Sequence, residues 1–183
     1  MHANVVDAER AVLLVIDLQE AYRKVLHEWE RTLARSRVLV RGARALGMPV
    51  LYTEQYPKGL GATVPEMQEV LDGLPRFEKR TLSALGAAGL REHLAKLARP
   101  QVIVCGIETC ACINLTVHEL LAEGYQVHLP ADALSARRPF EHEQAYAKLL
   151  ASGALGGSVE QILLECLRSA DHPAWKTVQP LLK

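Results

Sequence analysis

The sequence predicts an α/β fold: a doubly wound, mainly parallel sheet of about six strands with helices on both faces. Three observations predict it. Short β-rich runs alternate with helical stretches along the chain, the order expected of right-handed β-α-β crossovers. The run AVLLVID (11–17) is apolar at every position until its final Asp, as suits a strand buried on both faces of a parallel sheet. No internal repeat, linker or low-complexity tract interrupts the pattern, so residues 1–183 read as a single domain of ordinary size.

The elements follow in order. AVLLVID (11–17) is the first strand and ends in Asp17. VLVRGARALG (38–47) reads as the end of a helix, with Gly47 and Pro49 as stop signals. PVLYTEQ (49–55) is the second strand. The Gly- and Pro-rich stretch 56–75 reads as a long loop, with a short helix near PEMQEVLDG, and RFEKR (76–80) as a short strand. LREHLAKLA (90–98) is an amphipathic helix with leucines 90, 94 and 97 on one face, followed by the strand QVIVCGI (101–107). CINLTVHELLAEG (112–124) is then a helix ending at Gly124, and YQVHLPADAL (125–134) the next strand. EHEQAYAKLLASG (141–153) is a helix with a glycine stop, and a short strand is expected near 154–158. SVEQILLECL (158–167) reads as the last helix, with Ser158 as its N-cap. The tail DHPAWKTVQPLLK reads either as a cap on the domain or as an arm to a neighbouring subunit.

Composition narrows the function classes. Lys plus Arg and Asp plus Glu each number 21, so the formal charge is zero. That offers no global attraction to nucleic acid or to an anionic membrane. No run reaches the roughly 18 apolar residues of a membrane-spanning helix, and the first apolar run is short and ends in Asp17, unlike a signal peptide. A cytoplasmic location follows as the default. There the thiols of Cys105, Cys110, Cys112 and Cys166 stay reduced, as packing groups, ligands or reactive thiols.

In doubly wound sheets, ligands bind outside the carboxyl ends of the strands. Asp17, then Glu54 and Gln55, then GIETCAC (106–112) all fall at such ends. This predicts one cleft lined by residues distant in sequence. Cys112 falls where a strand and glycine give way to a helix. A helix N-terminus lowers a thiol's pKa and leaves N–H groups free for an oxyanion. A small residue packing the joint explains the same cysteine equally well. Cys110 and Cys112 make half of a metal or redox motif, but the other half is missing, so no metal is expected. Asp17 reads either as a strand-end cap or as a general base. Lys79 is ambiguous by itself; between a carboxylate and a thiolate it would hold both. YTEQYPKGLG (52–61) is a candidate lid or an ordered loop without chemistry, and His118 and His128 read as structural.

These residues resemble the isochorismatase-like hydrolases, the cysteine hydrolase group that includes nicotinamidases and N-carbamoylsarcosine amidohydrolase. The resemblance spans nearly the whole chain. It rests on LLVIDLQEAY (13–22), YTEQYPKGLG (52–61), EKRTLSAL (78–85), GIETCAC (106–112) and EGYQVHLPADALSAR (123–137). It implies a Rossmann-like fold and a triad of Asp17, Lys79 and Cys112. Asp17 comes from the D-x-Q motif. Lys79 lies four residues before Ser83, and Cys112 six after Gly106. Cys110, at a position often His or Asp in relatives, is not the nucleophile by this correspondence. A non-proline cis peptide at Ile107–Glu108 is also implied, aiming N–H groups of this turn, that of Cys112 included, at a substrate oxygen.

The metal ligands of nicotinamidases are not matched: Thr53, Glu54 and Gln55 stand after the second strand, with no His. No cofactor is expected. True isochorismatases act on a vinyl ether without needing the cysteine, so Cys112 points to amide chemistry. The implied function is cleavage of a C–N bond of a small molecule through an acyl-Cys112 intermediate. Gln19, Tyr22, Gln55, Tyr56 and Glu108 are the expected pocket-lining residues. Expected partners are a small-molecule substrate and copies of the same chain, as a dimer or larger homo-oligomer, with no nucleic acid and no membrane. Two alternatives stay open: a thiol-based redox or stress protein using Cys110 and Cys112, and a non-catalytic oligomeric family member.

Overall fold

The computed structural model describes His2 and residues 4–183. Its centre is a parallel sheet. Strands β1 (Ala11–Ile16), β2 (Val50–Gln55) and β3 (Arg76–Lys79) form one half, and β4 (Gln101–Ile107), β5 (Gln126–Pro130) and β7 (Leu155–Gly157) the other. The order is β3-β2-β1-β4-β5-β7, with the two-residue β6 (Leu134–Ser135) paired to β4. The doubly wound expectation holds, with seven strands among the described residues rather than about six.

The seventh strand comes from a correction. The run 125–134 is not one strand. β5 stops at Pro130, a 3-10 turn covers Ala131–Ala133, and β6 resumes against Gly106 and Ile107. β5 leaves β4 after His128, and Pro130, which has no N–H for the ladder, is its last residue, in register with Gly157 of β7. Two further corrections concern helices. Segment 56–75 holds two, α2 (Pro57–Leu60) and α3 (Pro65–Leu71), of which only the second was expected. The 112–124 helix enters through a π-helical turn, Thr109–Ile113, before α5 (Asn114–Ala122).

The continuous apolar strands serve two cores. In β1, Ala11, Leu13 and Val15 face one layer, and Val12, Leu14 and Ile16 the other. The first layer is α1 (Trp29–Ala45), α3 and α7 (Val159–Leu167). The second is α4 (Leu90–Leu97), α5 and α6 (Pro139–Ala151). Ser158 caps α7 as expected, accepting from the Gln161 N–H at 3.2 Å. The tail folds back: Ala174 and Val178, at α8 (Trp175–Val178), are buried in the first layer, with Trp175 and Leu182 packed against it. It caps its own chain.

Register sets the site. β1 pairs β2 with Ile16 opposite Thr53, and pairs β4 with Ile16 opposite Gly106. β2 pairs β3 with Gln55 opposite Lys79. The carboxyl ends of four strands therefore finish together, around Asp17, the residue after Ile16.

Candidate active site

Asp17 sits where β1 turns out of the sheet, with φ of 54°, a left-handed conformation that Asp tolerates better than most residues. Its side chain is 1 % exposed. Thr53 donates its hydroxyl to Asp17 Oδ1 at 2.7 Å. Lys79, fully buried at the end of β3, places Nζ 2.6 Å from Asp17 Oδ2. The same Nζ donates to Gln55 Oε1 at 2.6 Å and Leu82 O at 3.1 Å, and lies 3.3 Å from Cys112 Sγ. Parallel register thus brings together three residues that the sequence keeps far apart.

Cys112 is held by the turn that follows β4. The chain passes Gly106 and a cis Ile107–Glu108 peptide, as the family resemblance implies, into the π-helical turn. The N–H groups of Ala111 and Ile113 both donate to Glu108 O, at 3.0 and 3.2 Å. Thr116 donates to Cys112 O at 2.6 Å and accepts from the Ala84 N–H at 2.8 Å, fastening this turn to the loop after β3.

The expected lowering of the thiol's pKa is overturned. Burial, and then the Asp17 carboxylate, push Cys112 up to about 11, while Lys79 pulls the other way. A helix end supplies about 0.3–1 kcal/mol, and desolvating a thiolate outweighs that. The resting group at neutral pH is the thiol.

Cys112 opens onto a cleft of about 460 Å³, lined by Tyr22, Val25, Leu60, Leu82, Glu108 and Arg137 among others. Its lining is mixed: aliphatic side chains and an ion pair. Glu108 Oε2 accepts from the Arg137 N–H at 2.9 Å and from its Nε at 3.0 Å, while the Arg137 side chain stays 64 % exposed. Tyr22 stands in the cleft with its phenol pushed up to about 12 by burial, then by Cys112, Asp17 and Glu108. It remains a hydrogen-bond donor across the neutral range.

Two expected pocket residues lie elsewhere. Gln19 is completely buried. Its amide donates to Gln55 O at 2.9 Å and Gly61 O at 2.6 Å, and accepts from the Gln55 N–H at 2.7 Å. No polar atom of Gln19 is left for a ligand. Tyr56 is exposed under the Arg80 guanidinium, 4.0 Å from the ring centroid, and lines a separate groove with Pro57, Lys58 and Glu78. Gln55 lines the Cys112 cleft, with its amide committed to Lys79 and, through Nε2 at 3.0 Å, to Arg80 O. Glu54 does not reach the cleft: it accepts from the Thr63 N–H at 2.8 Å and pairs with Arg76 at 3.0 Å.

Thr53 and Arg137 escaped the sequence reading. Both lie inside quoted motifs, but only the register and the turn after β6 bring them to Asp17 and Glu108. Cys110 is half-buried and lines a neighbouring hollow with Glu108, Arg137, Arg138 and Glu141; burial and Glu108 push its thiol up. Cys105 and Cys166 are buried in the first layer and pushed to about 12, mainly by burial, and are packing groups.

Comparison with known proteins places this geometry. The isochorismatase domain model matches residues 11–161. Isochorismatase domain-containing protein 2 of Danio rerio is 38% identical over 173 residues, covering 94% of this chain and 86% of that protein. A Caenorhabditis elegans structure described as MAR1 ribonuclease superposes with a TM-score of 0.91 at 33% identity, over 97% of this chain and 92% of that one. The Escherichia coli YcaC product, described as an octameric hydrolase of unknown specificity, superposes with a TM-score of 0.91 over 99% of this chain and 92% of that one. At 18% identity that likeness speaks for the fold alone.

Proposed function

The chain belongs to the isochorismatase family, and from that membership we propose that it is a cysteine hydrolase cleaving a C–N bond of a small amide. The observation that carries the reading is the Lys79 ammonium, 2.6 Å from Asp17 Oδ2 and 3.3 Å from Cys112 Sγ, with Cys112 lining a cleft.

In this reading Asp17 takes the proton from Cys112, and Sγ attacks the amide carbonyl carbon. Lys79 offsets the negative charge as it moves between carboxylate and sulfur. The turn at Ile107, Glu108 and Cys112 presents N–H groups to the oxyanion. As the tetrahedral adduct collapses, Asp17 returns the proton to the departing amine, leaving a thioester on Cys112. Asp17 then takes a proton from water, hydroxide adds to the thioester, and collapse releases the acid and the thiolate, to which Asp17 returns that proton. The aliphatic side chains of the cleft accept the apolar part of the substrate, and Tyr22, Glu108 and Arg137 its polar part. We further propose assembly into a homo-oligomer, which light scattering on the purified chain tests.

The test is ammonia release from a panel of small amides and carbamoyl compounds, with acyl-Cys112 trapped by acid quench and mass spectrometry. A substrate turned over at full rate by Cys112→Ala overturns the covalent route. A second reading, cleavage of RNA, follows from the description of the C. elegans relative. The chain's zero formal charge lends it no general phosphate attraction, and an RNA oligonucleotide in the same panel decides it.

A further inference from the structure

Lys79 Nζ carries three protons and has four oxygen neighbours: Asp17 Oδ2 and Gln55 Oε1, each at 2.6 Å, Leu82 O at 3.1 Å and Thr81 O at 3.4 Å. The sulfur of Cys112 is a fifth neighbour at 3.3 Å. The ammonium is therefore held in a cage of oxygens, with the thiol at its open side. The Asp17 side of that cage is itself braced by the Thr53 hydroxyl. The other short contact is Gln55, a neutral dipole, and it is braced as well. Gln19, completely buried, reads both backbone groups of Gln55 with one amide, donating to its carbonyl and accepting from its N–H. The far end of the Gln55 amide is tied to Arg80 O at 3.0 Å, so its oxygen cannot turn away from Lys79 without giving up a second bond.

We propose that Gln55 is a positioning residue: its amide, fixed from behind by Gln19, holds the Lys79 ammonium between Asp17 and Cys112. The inference deepens the hydrolase reading and rests on its assignment of Lys79 and Cys112. A neutral acceptor suits the task. It takes one ammonium proton without competing as an anion, so Lys79 stays shared between the carboxylate and the sulfur. A carboxylate at the same place draws the ammonium away and adds a negative charge beside the nascent thiolate. Loss of the acceptor removes one of the two shortest contacts and leaves, besides Asp17, only longer ones to carbonyls and sulfur, and Nζ settles toward Asp17. Either change makes the thiolate harder to form.

The test is the rate at which iodoacetamide alkylates Cys112 from pH 6 to 10.5. Mass spectrometry resolves Cys112 from Cys110, and circular dichroism serves as the folding control. This readout needs no substrate. With Gln55→Glu, isosteric with the native side chain, the rate at pH 8 falls about tenfold, the equivalent of an upward move of about one pH unit in the profile. With Gln55→Leu it falls several-fold, while the Cys110 profile stays in place in both. Folded variants whose Cys112 profiles superpose on that of the unmodified chain overturn the inference and leave the hydrolase reading standing. A Cys112 unreactive throughout the range in the unmodified chain overturns the nucleophile assignment, and this inference falls with it. If Gln55→Leu does not fold, Gln55→Glu alone still decides between the two outcomes.

Discussion

Lys79 and Asp17 each justify the other's burial. Neither side chain is more than 1 % exposed, and their charged atoms are 2.6 Å apart. Removing one partner strands the other, which costs about 3–5 kcal/mol. Lys79→Met is therefore expected to lower stability by that order in urea unfolding. The double variant Lys79→Met with Asp17→Asn recovers much of it, because no lone charge is left. A second expectation concerns acidity. The Asp17 charge is among the causes that raise the Cys112 thiol to about 11. Below that value each pH unit changes the thiolate fraction about tenfold, so alkylation of Cys112 in the unmodified chain climbs steeply between pH 7 and 10. Asp17→Asn removes a neighbouring negative charge and lowers the thiol's value. Alkylation at pH 8 then speeds up while hydrolysis, deprived of its base, slows. A fall in alkylation would deny that the Asp17 charge raises the thiol, and unchanged hydrolysis would deny Asp17 the role of base. At this scale the sequence told residue types and motif spacing. It did not tell acidity, because that depends on burial and on a carboxylate 95 positions away.

The element that organises the site is the β4 exit. Gly106 has φ of 112°, and a Cβ there would drive into the backbone of Ile16. The glycine lets β4 lie against β1 at the point where both chains leave the sheet, one toward Asp17 and one toward Cys112. Gly106→Ala forces a disfavoured φ and a backbone clash together, at an expected cost of about 3 kcal/mol or more, read from the shift in the urea midpoint. Surviving protein loses the Lys79–Cys112 contact, so its alkylation profile moves too. Strands were legible in the sequence because burial on both faces leaves a continuous apolar run, as in β1 and β4. The π-helical turn at Thr109–Ile113 was not, since its bonds to Glu108 O and to Cys112 O are local but follow no hydrophobic period, and the bond that fastens it, from Ala84 N–H to Thr116, is long-range. The two-residue β6 was hidden for a related reason: it exists only because β4 offers an edge at Gly106 and Ile107.

Across the whole molecule, stability depends on pH through histidines kept neutral by burial. His128 is 3% exposed on β5, and burial holds its pKa below the ordinary value. His142, which meets the Thr109 hydroxyl at 2.8 Å, is lowered for the same leading reason. The unfolded chain takes up these protons near pH 6.5 and the folded chain resists them, so stability falls as the pH drops below that point. The urea midpoint should decline from pH 7 toward pH 5, and His128→Gln should flatten the decline; an unchanged slope would show that His128 is not its source. The alternation of strand and helix, the apolar runs and the motif residues were enough to determine the layered parallel sheet and the family resemblance, and through it the three candidate residues. These are local or one-dimensional properties, carried by hydrophobic period and residue identity. Only the tertiary structure decided that Gln19 is a buried clamp, that Tyr56 faces another groove, that Thr53 braces Asp17, and that Cys112 rests as a thiol. Each of those depends on strand register and on what excludes water from a side chain, and both arise only when distant segments pack.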